Sequence, residues 1–212
     1  MNWKKALTKL PKQKRGIIGL EAAIILIAFV IIAAVFSFMV VNQGLFATQR
    51  GQAVIQEGLK EASTPLVIDG TIFVRTADDG KNITAILIPL KAYGVKNAPM
   101  WQNETVVTLK VGINAWANVY SGVNQTNPTG TTYDALLAGV GTGNATLFIQ
   151  NSNGDEALDS FEKGYLLINL GETNAADVRT PVNIEIRLEQ SAPLSMDFTM
   201  PTSLPKGCWI GL

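Results

Sequence analysis

Histidine is absent from the 212 residues, and Cys208 is the only cysteine. The first absence removes the commonest general base and metal ligand, together with every Ser-His and Cys-His nucleophile arrangement. The second excludes an intrachain disulfide framework and a zinc site built from thiolates. Cys208 itself reads as a small apolar residue close to the C-terminus. No internal repeat and no phosphate-cradling glycine loop occurs either. No catalytic, cofactor-binding or metal-ligating set emerges, so neither an enzyme nor a cofactor is expected.

The chain also lacks net charge, with 17 cations against 17 anions, but that balance hides an asymmetry. Lys4, Lys5, Lys9, Lys12, Lys14 and Arg15 all fall in the first fifteen residues, where no acidic residue occurs. Removing those six leaves eleven cations against seventeen anions, a net charge of −6. An acidic body argues against nucleic-acid binding, and a basic leader suits the cytoplasmic side of a membrane.

What the sequence does have is a long apolar run. From Ile17 to Val41 the only ionisable side chain is Glu21. As a helix, twenty-five residues rise about 37 Å, enough to cross the ~30 Å hydrocarbon core of a bilayer. A secretory signal places its small cleavage residue after the apolar run. Here the order is reversed: Lys14-Arg15-Gly16 comes first, then Ile17. Cleavage after Gly16 removes the leader, residues 1–16, and leaves the apolar helix on the mature chain. An uncleaved signal anchor is the competing reading.

Glu21 is the fifth residue counted from Ile17. A carboxylate at membrane depth costs several kcal/mol unless paired, which marks it as functional. Two compatible readings stand. Glu21 pairs with the new α-amino group on Ile17 of a neighbouring copy, or it complements the dipole of the first helical turn.

The helical pattern continues past Val41, with apolar residues at Leu45, Phe46, Val54, Ile55 and Leu59, until Ser63-Thr64-Pro65 stops it. One helix from Ile17 to about Ala62 is ~69 Å long, and residues 17–63 form one assembly element. Gly44, Gly51 and Gly58 recur every seven residues, nearly on one face. Each costs ~1 kcal/mol against alanine. Close helix–helix approach explains that cost; plain flexibility is the alternative.

Residues 64–212 have a β texture. Expected strands are 66–75, 83–92, 105–111, 115–120, 145–150, 165–170, 182–190 and 194–200, separated by turn chemistry such as Asp78-Asp79-Gly80. A short helix is expected around 133–138 or 155–162. The fold class is α+β, a long N-terminal hydrophobic helix followed by an antiparallel, Ig-like β-sandwich.

Asn82, Asn103, Asn124 and Asn144 each begin an Asn-x-Thr acceptor pattern for N-glycosylation, whereas Asn127-Pro128-Thr129 is blocked by proline. Four patterns within sixty-five residues suit a sugar-coated outer face; a simple excess of Asn and Thr at strand edges is the alternative. The loop from Asn151 to Glu156 has its glycine at the fourth place, which fails calcium-loop spacing, so it reads as a turn. Asp78-Asp79 reads as solvated turn charge.

The junction Lys14-Arg15-Gly16, Gly19 at the third mature position, and the run Leu20-Glu21-Ala22-Ala23-Ile24 resemble archaellins. These are the flagellin subunits of the archaeal swimming filament, within the type IV pilin superfamily. Residues 33–36 and the run from Gly44 to Gln49 extend the likeness, which covers roughly residues 14–60. The resemblance implies cleavage between Gly16 and Ile17 by a prepilin peptidase. It further implies that subunits wait in the membrane and polymerise with identical or related copies, long helices in the core and β-domains outside. Partners implied are the peptidase, the assembly platform and the archaellum motor. The family is not enzymatic, and no residue here matches the metal sites of some relatives. An adhesive type IV-like pilin and a monomeric membrane-anchored binding protein are the competing functions.

Overall fold

A computed structural model describes residues 15–189 and 191–212. The chain divides into two compact units at Gln56/Glu57. Residues 1–14 of the expected leader, Lys14 among them, lie outside the described residues.

The first long element is α1 (Arg15–Ala62), 48 residues of unbroken helix, or ~72 Å at 1.5 Å per residue. It starts two residues before Ile17 and stops where the sequence stops it, just ahead of Ser63-Thr64-Pro65. No proline interrupts it, and the glycines at 44, 51 and 58 leave it continuous. Thr48 donates its hydroxyl back to the carbonyls of Gly44 and Leu45, at 3.1 and 2.9 Å. That is the usual way a mid-helix threonine satisfies its side chain.

Residues 64–212 form a two-sheet β domain. Its strands are β1 (Leu66–Ile68), β2 (Phe73–Thr76), β3 (Asn82–Ala92), β4 (Asn97–Pro99), β5 (Val106–Val111), β6 (Asn114–Trp116) and β7 (Tyr120–Asn124). After the short helix α2 (Tyr133–Leu137) come β8 (Ala145–Gln150), β9 (Ala157–Asp159), β10 (Lys163–Asn169), β11 (Ala176–Asp177), β12 (Pro181–Arg187), β13 (Leu194–Thr199) and β14 (Trp209–Gly211). The larger sheet runs β14-β2-β3-β10-β8-β7, with β1 and β11 also on β3. The smaller runs β13-β12-β5-β6, and β4 pairs with β9 alone.

Alternation along the strands builds the sandwich core. Val182, Ile184 and Ile186 of β12 are buried, as are Val107, Leu109 and Val111 of β5 beside them. They belong to one apolar cluster with Ile86, Ile88, Leu166 and Leu147 of the larger sheet. A second, smaller core lies on the other face of that sheet. Leu87, Phe148 and Leu167 pack there with Leu136 and Val140, so α2 and its flank cover a face that a two-layer sandwich leaves to solvent. This is why β3 reads as a continuous apolar run: both of its faces are buried.

The structure departs from the expected strands at three places and chooses between the two expected sites for a short helix. The expected strand 66–75 breaks in two at Gly70, whose φ of +124° turns the chain, and both halves pair with β3. The expected strand 115–120 also divides, sending β6 to the smaller sheet and β7 to the larger. Asn118 makes that crossing: its Oδ1 accepts from the N–H groups of Val107 and Tyr120, at 3.2 and 3.0 Å. The pair β7–β8 is parallel, in a domain otherwise antiparallel among the described residues. Residues 155–162 form a turn and β9 rather than a helix, whereas α2 occupies the other expected helical site, with Thr132 as its N-cap.

Candidate assembly surface

The helix is the first candidate surface. Between Leu20 and Leu59 twenty large apolar side chains are exposed, from 51% at Val40 to 72% at Phe29. Fully burying such a side chain contributes about 1.5–3 kcal/mol, so twenty represent several tens of kcal/mol of unfavourable contact with water. Among the described residues, nothing covers them. By length and composition, the segment from Gly19 to Leu59 is able to cross a membrane.

Among the expected cleavage residues, Arg15, Gly16 and Ile17 lie in helical backbone. Glu21 lies six residues beyond the first residue of α1 and is exposed. It therefore sits past the first turn of α1. A Cβ added at Gly19, Gly44, Gly51 or Gly58 meets nothing within 4 Å. Among the described residues, the smallness of these glycines serves no contact.

The acceptor asparagines are spread over the β domain. Asn103 and Asn144 are exposed, while Asn82 and Asn124 are half-buried. The Asn82 amide donates to Asp177 Oδ1 at 3.0 Å, and Asn124 Oδ1 accepts from the N–H of Thr126 at 2.9 Å. Their threonines matter as much. Thr84, Thr105 and Thr146 are buried, whereas Thr126 is exposed. Thr84 and Thr105 leave their hydroxyls without a partner, and Thr146 shares a hydrogen bond with Ser121 at 2.8 Å.

The loop from Asn151 to Glu156 is a turn with an internal anchor that the sequence did not advertise. Glu162 is 5% exposed, and its two carboxylate oxygens accept from the N–H groups of Asn153 (2.9 Å) and Asp159 (3.0 Å). Asn153 and Asp155 cap the following backbone N–H groups at 2.9 and 3.0 Å. These oxygens hold the loop together. Among the described residues no group of three His, Cys, Asp or Glu side chains converges. Replacing Glu162 with alanine strands two backbone donors, each charge-assisted bond contributing about 1.5–3 kcal/mol. Denaturant unfolding of the detergent-solubilised full chain is expected to show a loss of about 3 kcal/mol. A loss below ~0.5 kcal/mol, as at ordinary surface positions, excludes the anchor role.

Asp78-Asp79 also behaves as a turn: Asp79 Oδ1 accepts from the Lys81 N–H at 3.0 Å, and Asp78 lies 3.6 Å from Arg75. Cys208 is exposed rather than packed as a small apolar residue, because its backbone pairs with Thr76 at the sheet margin. Buried Tyr120 donates to the Met100 carbonyl at 2.6 Å. Burial, aided by the charge of Glu156, holds its phenol protonated well above the usual range.

Two grooves escaped sequence reasoning because their walls come from distant segments. One, of about 450 Å³, is lined by Tyr133, Tyr165 and Trp209 with Asp134 and Gln150. Asp134 ties it together, accepting from Arg75 Nε at 2.7 Å and from Trp209 Nε1 at 3.1 Å. The other, of about 490 Å³, lies where residues 63–65 enter the domain and includes Val95, Pro99 and Trp101.

Residues 16–198 match the archaeal-type flagellin family. "Probable flagellin 1" of Aeropyrum pernix is 36% identical, over 95% of this chain and 99% of its own length. In fold, the chain is similar to the subunit of the archaeal flagellum of Methanospirillum hungatei, with a TM-score of 0.58 and 23% identity over 89% of this chain and 97% of that one. It is likewise similar to a flagellin of Methanocaldococcus jannaschii, with a TM-score of 0.57 and 16% identity over 69% of this chain and 94% of that one.

Proposed function

The chain belongs to the archaeal-type flagellin family and is a structural subunit of a filament; from that premise we propose that it is made as a membrane-held precursor, cut between Gly16 and Ile17, and passed into an extracellular swimming filament. The observation that carries this reading is the row of twenty exposed apolar side chains on one helix. Lipid satisfies that row while the precursor waits. Copies of the same helix satisfy it afterwards, since an all-round apolar helix needs burial on every side. A contact that joins two different faces repeats head to tail, and it builds an open filament where its rotation does not close a ring.

Lys14 and Arg15 supply the cationic flank of the cut, Gly16 the small residue, and Ile17 the new N-terminus. A prepilin-type peptidase is the partner for that step, and the archaellum assembly platform and motor for the next. Gly19 and the glycines at 44, 51 and 58 accept neighbouring helices closely, which accounts for small residues that no intrachain contact demands. Glu21 enters the first turn once the leader is gone and pairs with the α-amino group of Ile17 on an adjoining copy.

Asn82, Asn103, Asn124 and Asn144 carry sugar on the outer domain. Thr84, Thr105 and Thr146 are buried, so modification at these three acceptors precedes closure of the sheets on this reading. Only the Asn124 pattern keeps its threonine exposed in the folded chain.

Low-shear isolation of surface filaments followed by N-terminal sequencing tests the whole reading. The expected first residues are Ile17-Ile18-Gly19. Recovery of the protein as membrane monomers that retain residues 1–16 sinks it.

A further inference from the structure

The β domain carries an exposed apolar knob at one end and an apolar groove at the other. Ile113 is the knob. It is 98% exposed at the tip of the β5–β6 hairpin, and Val178, 42% exposed, lies on the neighbouring turn. The tip is fixed rather than loose. Gly112 has a φ of +57°, its N–H donates to the Pro181 carbonyl at 2.9 Å, and a Cβ there comes within 3.2 Å of Thr180. A backbone this constrained holds a bulky β-branched side chain out in water for no reason internal to the chain. Solvated turns favour Asn, Asp and Gly.

The groove at residues 63–65 lies at the opposite end of the same strands. Along β5 and β12 the register runs from Val106↔Arg187 to Val111↔Val182. Glu104 and Glu189 flank the first pair, and Ile113 follows the last. Six residues of strand separate the two ends by ~17 Å. The groove holds about 490 Å³, with Pro65, Val95, Pro99, Trp101 and Leu188 as its apolar lining.

Charge separates the two ends as well. Lys110 and Arg179 stand beside the knob, and neither has a carboxylate within ion-pair distance among the described residues. Glu104 and Glu189 stand together on the groove wall. Desolvation and the neighbouring Glu189 carboxylate raise the pKa of Glu104, as two like charges in contact require. Asp177 and Asp197 also lie at the knob end, the latter held by the Asn183 amide, and Lys96 lies in the groove, so the complementarity rests on the facing pairs rather than on the net charge of either end.

We propose that the Ile113–Val178 end of one copy docks into the groove around Trp101 of the next, with Lys110 and Arg179 facing Glu104 and Glu189. The contact rests on the filament reading and deepens it. It joins unlike ends of identical domains, so it repeats head to tail along the outer layer of the filament. It also gives the outer layer its own cohesion, independent of the helices.

The test uses the full chain in cells that assemble it, with Cys208→Ser as the parent. Ile113→Cys combined with Trp101→Cys, oxidised in intact filaments, is expected to give a ladder of covalent multimers on a non-reducing gel. Each single variant is expected to run as a monomer. Filaments in which the pair stays monomeric overturn the contact, and so does a dimer from Ile113→Cys alone, which places like ends together. A second arm avoids the cross-link. Lys110→Glu with Arg179→Glu is expected to lower the melting temperature of filaments, and adding Glu104→Lys with Glu189→Lys to recover it. Unchanged melting, or losses that simply add, overturn the contact. Absence of filaments from the unsubstituted chain counts against the filament reading itself.

Discussion

Replacing Gly16 with valine is expected to leave the full-length precursor in the membrane and to abolish surface filaments. The cause is steric rather than conformational. Gly16 lies in helical backbone, where valine is if anything slightly more favourable than glycine. A loss of processing therefore reports on the peptidase's need for a small residue at the cut. The consequence for assembly is electrostatic. The uncut chain keeps six cations on its leader, beside the helix that must enter an apolar core. Each Lys or Arg placed at the centre of such an environment costs about 3 kcal/mol on insertion scales, and more where no interface is in reach. Immunoblotting for the slower precursor band and electron microscopy of cell surfaces check both halves. Normal filaments built from uncut chains refute the cleavage claim.

Glu21→Ala is expected to behave differently, leaving cleavage intact while stopping assembly. In the uncut chain Glu21 is exposed on the helix, six residues past Arg15, so the peptidase meets the same junction with or without it. On the proposed reading, the carboxylate in the filament offsets the charge of a neighbouring Ile17 amine. Removing one partner of a buried pair costs about 3–5 kcal/mol, because the other charge stays buried alone. At 1.4 kcal/mol per tenfold, one such loss weakens the contact by roughly a hundredfold to several thousandfold. The mature band is then expected to accumulate in the membrane fraction without filaments. If processing and assembly fall together, the local role in the first turn is the one that survives. Glu21→Gln sharpens the distinction, since it keeps the volume and hydrogen bonding but not the charge.

The regular parts of this molecule were legible because they are local. Forty-eight residues of helix follow from the apolar run and the Ser63-Thr64-Pro65 stop, both of which lie within the segment they shape. β12 follows from alternation of β-branched residues and β8 from a short apolar run, again read within a few positions. Where the reading failed, the missing information lay far along the chain. The division of 66–75 depends on where β3 offers partners, and the switch of sheets at Asn118 depends on Val107 and β8. The strands β4, β9, β11 and β14 are two or three residues long and exist only because a partner strand is already in place. Glu162 looked like any surface carboxylate until folding brought Asn153 and Asp159 to it.

The sequence alone determined the basic N-terminal segment, the apolar run and the length of the helix, because charge order and hydrophobic run length are properties of the chain read in one dimension. Only the tertiary structure decided that the larger sheet is covered on both faces, that three acceptor threonines are buried, and that an exposed Ile113 and a groove around Trp101 mark opposite ends of one domain. Those facts depend on pairings between residues tens of positions apart. Pairings of that kind are selected by the packing of the whole sandwich rather than by any short stretch within it.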